Sequence, residues 1–180
     1  MKIATVVNFP EGGSDPDRVA RETRRAIAAG ADEIDMVLAW RSLLAGDAAT
    51  ARAGVEACRA ACGPGVALKL ILETGELGTP ERIREASEIG LDAGVDFLKT
   101  STGKVPVNAT PGAAAVMLDA IAARGGACGF KAAGGVRTLA DARVYLDLAE
   151  ARLGADWITP ERFRFGASAL LGEVVAALAE

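Results

Sequence analysis

The sequence contains no histidine. That single absence removes His-based catalytic triads, zinc sites of the usual histidine type and imidazole general bases together. Cysteine is nearly as scarce. Cys58, Cys62 and Cys128 make an odd count, and the first two stand four apart in a helical pattern rather than in a metal or redox spacing. They read as buried structural thiols. Long apolar runs are missing as well: hydrophobic residues form 51% of the chain, yet charges interrupt every run well before the roughly 20 residues that a membrane span needs. The opening stretch from Met1 to Phe9 has neither the apolar core nor the small-residue cleavage site of a secretory signal, so the cytoplasm is the expected compartment. The net charge of −4, with arginine and glutamate interspersed, lacks the basic stripe of a nucleic-acid binder. Any bound anion must therefore be held locally.

What the chain does contain is one unit, repeated. No composition break or Pro/Ser-rich linker divides residues 1–180, which read as a single domain. Short apolar runs near residues 3–9, 33–38, 67–72, 96–100, 128–132 and 162–167 predict strands. They alternate with amphipathic stretches near 16–29, 48–62, 80–93, 111–124, 138–153 and 168–179, which predict helices. Asp15-Pro16, Thr79-Pro80 and Thr110-Pro111 each place a capping side chain before a proline suited to the first helical turn. Gly30-Ala31-Asp32, Gly94-Val95-Asp96 and Gly154-Ala155-Asp156 repeat a helix stop. Strands too apolar to expose a face, each followed by a helix, imply a parallel sheet covered by helices. Periodicity alone leaves barrel and open sheet both possible.

Lysine is scarce too, at five against fifteen arginines, and its placement is unusual. Lys69 lies inside Ala67 to Leu72, Lys99 ends Val95-Asp96-Phe97-Leu98, Lys131 follows Gly129-Phe130, and Lys104 sits in the loop after Lys99. Burial and a neighbouring cation both favour a neutral, nucleophilic amine. Lys99 and Lys131 fit that pairing, because sequential strand order would place them side by side. A single such lysine would more simply snorkel to water. Asp35 interrupts the apolar strand Ile34 to Leu38, where a carboxylate must meet a cation or line a wet pocket. It can act in proton transfer beside an imine, or form a structural ion pair with Lys69. Three glycine- and hydroxyl-rich loops follow strand ends: Thr100 to Lys104, Ala133 to Arg137, and Gly166 to Ser168. Together they suggest a phosphate held by backbone N–H groups and a helix start.

The motifs Ala4-Thr5-Val6-Val7-Asn8-Phe9-Pro10, Gly30 to Asp35, Leu68-Lys69-Leu70-Ile71-Leu72-Glu73-Thr74-Gly75-Glu76-Leu77, Phe97 to Lys104, Gly129 to Arg137 and Phe165 to Ser168 together resemble the deoxyribose-phosphate aldolase family. The resemblance covers essentially the whole chain. It implies a TIM-barrel-type (β/α) enzyme that reversibly splits 2-deoxy-D-ribose 5-phosphate into acetaldehyde and D-glyceraldehyde 3-phosphate, with no metal or other cofactor. It further implies that Lys99 forms the imine, Lys131 depresses the pKa of Lys99, and Asp35 serves a proton relay with water. Lys69 would order the polar centre. Gly103, Gly134, Gly135, Gly166 and Ser168 would hold the phosphate, with Lys104 and Arg137 beside them. Ala132 stands where the family usually has proline and Ala169 where it has a second serine, which points to weaker phosphate binding.

The family has a leading helix and two strands ahead of the strand that opens this sequence, so six of the eight βα units are expected, in an incomplete or open barrel. The length agrees, since such barrels usually exceed about 200 residues. Six strands cannot keep the tilt and stagger of eight and still close. A homo-oligomer, a dimer, is the expected way to cover the opening. The alternative is a catalytically impaired phosphate-binding fragment, or a subunit that needs a partner chain to complete its barrel.

Overall fold

A computed structural model of the chain describes residues 2–179. Six strands, β1 (Ala4–Val7), β2 (Glu33–Val37), β3 (Ala67–Ile71), β4 (Phe97–Lys99), β5 (Gly129–Ala133) and β6 (Phe163–Gly166), form one sheet in sequential order. Every neighbouring pair is parallel. The helices are α1 (Pro16–Ala28), α2 (Trp40–Leu44), α3 (Ala48–Cys62), α4 (Thr74–Leu77), α5 (Pro80–Asp92), α6 (Pro111–Ala123), α7 (Leu139–Leu153) and α8 (Ala169–Leu178), with a 3-10 turn at Ala155–Trp157. The result is a curled half-barrel of six βα units, a TIM-barrel-like α/β fold whose edge strands β1 and β6 do not pair. Among the described residues no helix is long and apolar enough to cross a membrane.

Local sequence explains the punctuation. Asp15, Thr79 and Thr110 each accept a hydrogen bond from the backbone N–H three residues on, ahead of a proline in the first turn. Thr138 and Asp141 form a reciprocal capping box at the start of α7. Two aspartates of the repeated stops tie the start of one strand to the strand before it. Asp32 accepts from the Ile3 N–H at 2.7 Å, and Asp96 accepts from the Leu68 N–H at 2.7 Å. Asp156 lies in the 3-10 turn, one turn before β6, and so does not repeat the device. The two short helices α2 and α4, which follow β2 and β3 closely, were not predicted by periodicity. A helix of four or five residues gives no repeat to detect.

Alternation along the strands separates two environments. Ile34 and Met36, Leu68 and Leu70, Leu98, and Phe130 and Ala132 are fully buried against the helices. The other set, Glu33, Asp35, Lys69, Lys99, Lys131 and Arg164, carries nearly all the charge of the sheet and faces the concave side. Cys58, Cys62 and Cys128 are free and buried in the apolar layer. Burial pushes the Cys128 thiol up to about 12.

Candidate active site

The concave side of the sheet holds a connected array of charges. Asp35, on β2 and 3% exposed, accepts hydrogen bonds from three lysines on the next three strands. Lys69 Nζ donates to Oδ1 at 2.6 Å. Lys99 Nζ and Lys131 Nζ both donate to Oδ2, at 2.7 and 2.9 Å. The register makes this possible: Asp35 pairs with Lys69 across β2 and β3, and Lys99 pairs with Lys131 across β4 and β5. Lys131 lies in the middle of β5, which continues to Ala133.

A second layer lies nearer the strand beginnings. Lys69 Nζ also reaches Glu33 Oε2 at 2.6 Å. Both Glu33 oxygens accept from Arg164 Nη1 on β6, at 2.9 and 2.8 Å. The array therefore joins β2 to β6 across the hollow and holds four cations against two carboxylates. Sequence reasoning missed Glu33 and Arg164. Glu33 opens the predicted strand near 33–38, directly after the turn aspartate Asp32, and a charge at a strand start usually meets water. For Arg164 a signal existed: a charge between Phe163 and Phe165 in an apolar strand.

Excess positive charge in a buried place fixes protonation. Burial by itself would raise the Asp35 carboxyl, but the charges of Lys99, Lys131 and Lys69 outweigh it and hold the group well below the usual carboxylate range. Asp35 is an anion. Lys131 is shifted below the ordinary lysine value, chiefly by burial, with Lys99 and Lys69 adding to the effect and Asp35 opposing it. One ammonium of the array thus gives up its proton more readily than a free lysine, which is what acid–base work near neutral pH requires.

The loops named from the sequence leave adjacent strands at the same end. Gly103 and the exposed Lys104 follow β4; Gly134, Gly135 and the exposed Arg137 follow β5; Ser168 precedes α8 after β6. Gly103, Gly134 and Gly135 take φ of +81°, +82° and +87°, a backbone open at little cost only to glycine. Ser168 makes no side-chain cap bond to α8, so its hydroxyl is available. Gly166 also has a packing role. A Cβ there would lie 2.9 Å from Ala133 Cβ and 3.2 Å from Lys131 Cε, so its hydrogen side chain makes room for Lys131.

Glu73, unremarked in the sequence beyond its motif, holds the loop after Lys99. It adopts left-handed backbone at φ 59°, and its carboxylate accepts from the Thr102 N–H at 3.2 Å and the Thr102 hydroxyl. Burial pushes the Glu73 carboxyl up, against those two bonds.

The strands and loops that carry these groups all lie within residues 1–172, which match the sequence family described as DeoC/LacD family aldolase. The chain belongs to the DeoC/LacD aldolase family. Solved structures agree with that membership. One, named a "putative deoxyribose-phosphate aldolase" and from Toxoplasma gondii ME49, is 31% identical with a TM-score of 0.91, over 99% of this chain and 72% of its own. Another, from Coccidioides immitis and named likewise, is 30% identical with a TM-score of 0.80, over 97% of this chain and 64% of its own. The fold is shared with a tetrameric deoxyribose phosphate aldolase from Aeropyrum pernix at 23% identity and a TM-score of 0.74, over 99% of this chain and 68% of its own.

Proposed function

We propose that this lyase cleaves 2-deoxy-D-ribose 5-phosphate reversibly to acetaldehyde and D-glyceraldehyde 3-phosphate, through an imine on Lys99. The observation that carries the reading is the shared carboxylate: Lys99 and Lys131 both on Oδ2 of Asp35, 8% and 3% of Lys99 and Asp35 being exposed. Neutral Lys99 Nζ adds to the C1 aldehyde of the open-chain sugar, and the carbinolamine hydroxyl takes up a proton and leaves as water to give the protonated imine. Removal of the C3 hydroxyl proton then breaks the C2–C3 bond. The electron pair of that bond passes to the iminium, forming the enamine and releasing glyceraldehyde 3-phosphate. Protonation at C2 and addition of water return acetaldehyde and free Lys99.

The protons need carriers, and the two partners of Lys99 divide the work. Asp35 is too strongly held as an anion to be a good base in the resting array; it fixes Lys99 and stabilises the iminium charge. Lys131, shifted downward, passes protons by way of water along Asp35. Lys69 keeps the far oxygen of Asp35 occupied. Gly103, Gly134, Gly135, Gly166 and Ser168 hold the phosphate with Lys104 and Arg137, and Gly166 also seats Lys131.

A companion proposal concerns assembly: the working form is a homo-oligomer, a dimer. It rests on apolar surface at both sides of the open sheet. Ile3 and Val6 beside and on β1 are 60% and 41% exposed. On α8, Leu171, Val175 and Leu178, spaced to share one face, are 65%, 59% and 83% exposed. Incubation with 2-deoxyribose 5-phosphate, coupled to reduction of a triose phosphate, tests the activity. Product formation is expected, and none at millimolar substrate would remove the substrate assignment.

A further inference from the structure

The second layer of the array has no part in the steps above, yet it is tied to them by an unbroken chain of charge. Asp35 has two carboxylate oxygens and three ammonium partners, so their distribution must be fixed by something else. Lys69 takes Oδ1 because its Nζ is bridged at 2.6 Å to Glu33 as well as at 2.6 Å to Asp35. Glu33 in turn cannot swing, because Arg164 Nη1 contacts both of its oxygens. The guanidinium is itself fixed twice over. Its Nε donates to Pro160 O at 2.8 Å, and its Cζ lies 4.8 Å from the centre of the Phe97 ring. That ring can occupy its place only beside a glycine, since a Cβ on Gly129 would meet it at 2.5 Å.

We infer that Glu33 and Arg164 are positioning residues for the reaction: they hold Lys69 on one oxygen of Asp35 and so leave the other to Lys99 and Lys131. The inference rests on the aldol reading, because only there does the Lys99–Asp35–Lys131 geometry bear on rate. Arg164 also stands opposite Lys131 in the β5–β6 register, the neighbouring position from which its charge can reach that lysine. The charged groups facing Lys131 in this hollow are Glu33 and Asp35 from β2, Lys69 from β3, Lys99 from β4 and Arg164 from β6.

Geometry and charge separate by substitution. Glu33→Gln deletes an anion, so Lys131 should lose its proton at lower pH; Arg164→Met deletes a cation, so Lys131 should keep its proton to higher pH. Arg164→Lys keeps the charge but loses the planar fork. The pH midpoint of Lys131 labelling by acetic anhydride, read by mass spectrometry, measures the charge effect without requiring turnover. Midpoints should move in opposite directions for Glu33→Gln and Arg164→Met, each by a few tenths of a unit to about one unit, and stay near wild type for Arg164→Lys. In the cleavage assay all three should lose about threefold to tenfold in kcat with KM within about twofold, as expected for groups remote from the binding loops. Arg143→Met, which removes an exposed pair with Asp147, is the control and should change neither readout.

Shifts in the same direction, or none, would overturn the inference, as would wild-type kcat in Arg164→Lys. Should Glu33→Gln fail to fold, Arg164→Met and Arg164→Lys decide the matter, since Arg164 is one-third exposed on an edge strand. Wild-type protein without imine formation from acetaldehyde would instead sink the aldolase reading, and the labelling midpoints would still show whether Glu33 and Arg164 govern Lys131.

Discussion

Replacing Asp35 by asparagine removes one charge from a place where three ammonium groups converge. The cost follows from burial. Deleting one partner of a buried ion pair destabilises a protein by about 3–5 kcal/mol, because the other partner is left charged and unpaired. Counting that figure three times would overshoot, since Lys131, already shifted downward, can give up its proton instead of remaining charged. Taken once, and at about 2–4 °C per kcal/mol for a domain of this size, it corresponds to a fall of roughly 10 °C in Tm at pH 7. The pH dependence has a definite sign. The folded-state pKa of Asp35 is lowered, so its contribution is fully present above the unfolded value and is lost as pH falls through the folded value. The gap between wild type and Asp35→Asn should therefore persist at pH 4 and close only below the ordinary carboxylate range. At the alkaline end it should narrow again as Lys131, shifted downward, discharges. Thermal unfolding followed by circular dichroism at pH 4, 7 and 10 measures all three points. Cleavage should fall about 10²-fold or more in the same variant. A Tm within about 2 °C of wild type at pH 7 would refute the assignment of Asp35 as the anion that organises the array.

Lys131→Leu should leave the fold intact, slow carbon–carbon cleavage about 10²-fold, and move the onset of imine formation to higher pH; an unchanged pH profile measured by borohydride trapping would make Lys131 structural. Inorganic phosphate or sulfate should compete with substrate, and unphosphorylated 2-deoxyribose should react far less efficiently than its 5-phosphate; equal efficiency would mean that the glycine loops are misread. Light scattering at micromolar concentration should show a dimer that Leu171→Glu with Val175→Glu dissociates, whereas a well-folded wild-type monomer would contradict the assembly.

The parts of this protein that could be read from the sequence are those encoded locally. Asp15-Pro16 and Thr110-Pro111 mark helix starts because the cap and its acceptor lie within one turn. Lys69, Lys99, Lys131 and Asp35 were visible because a charge in an apolar strand needs a partner, and sequential parallel strands bring such residues together. The meeting of three lysines on one carboxylate was not visible, since it depends on how far the sheet curls. Arg164 and Glu33, 131 residues apart, show this most clearly. Their contact spans the hollow from β6 to β2, and no local pattern records it. Glu73 escaped for another reason: its part is played from a left-handed residue at the head of a four-residue helix, where strand and helix periodicity both fail.

The central claim, that Lys99 is the covalent nucleophile, is tested most directly by reduction of the intermediate. The protein is incubated with acetaldehyde and sodium borohydride, digested, and analysed by mass spectrometry. The expected result is a single ethylated lysine on the peptide that contains Lys99, lost in Lys99→Leu. An adduct on Lys131 or Lys69 instead, or no adduct at all, would contradict the account.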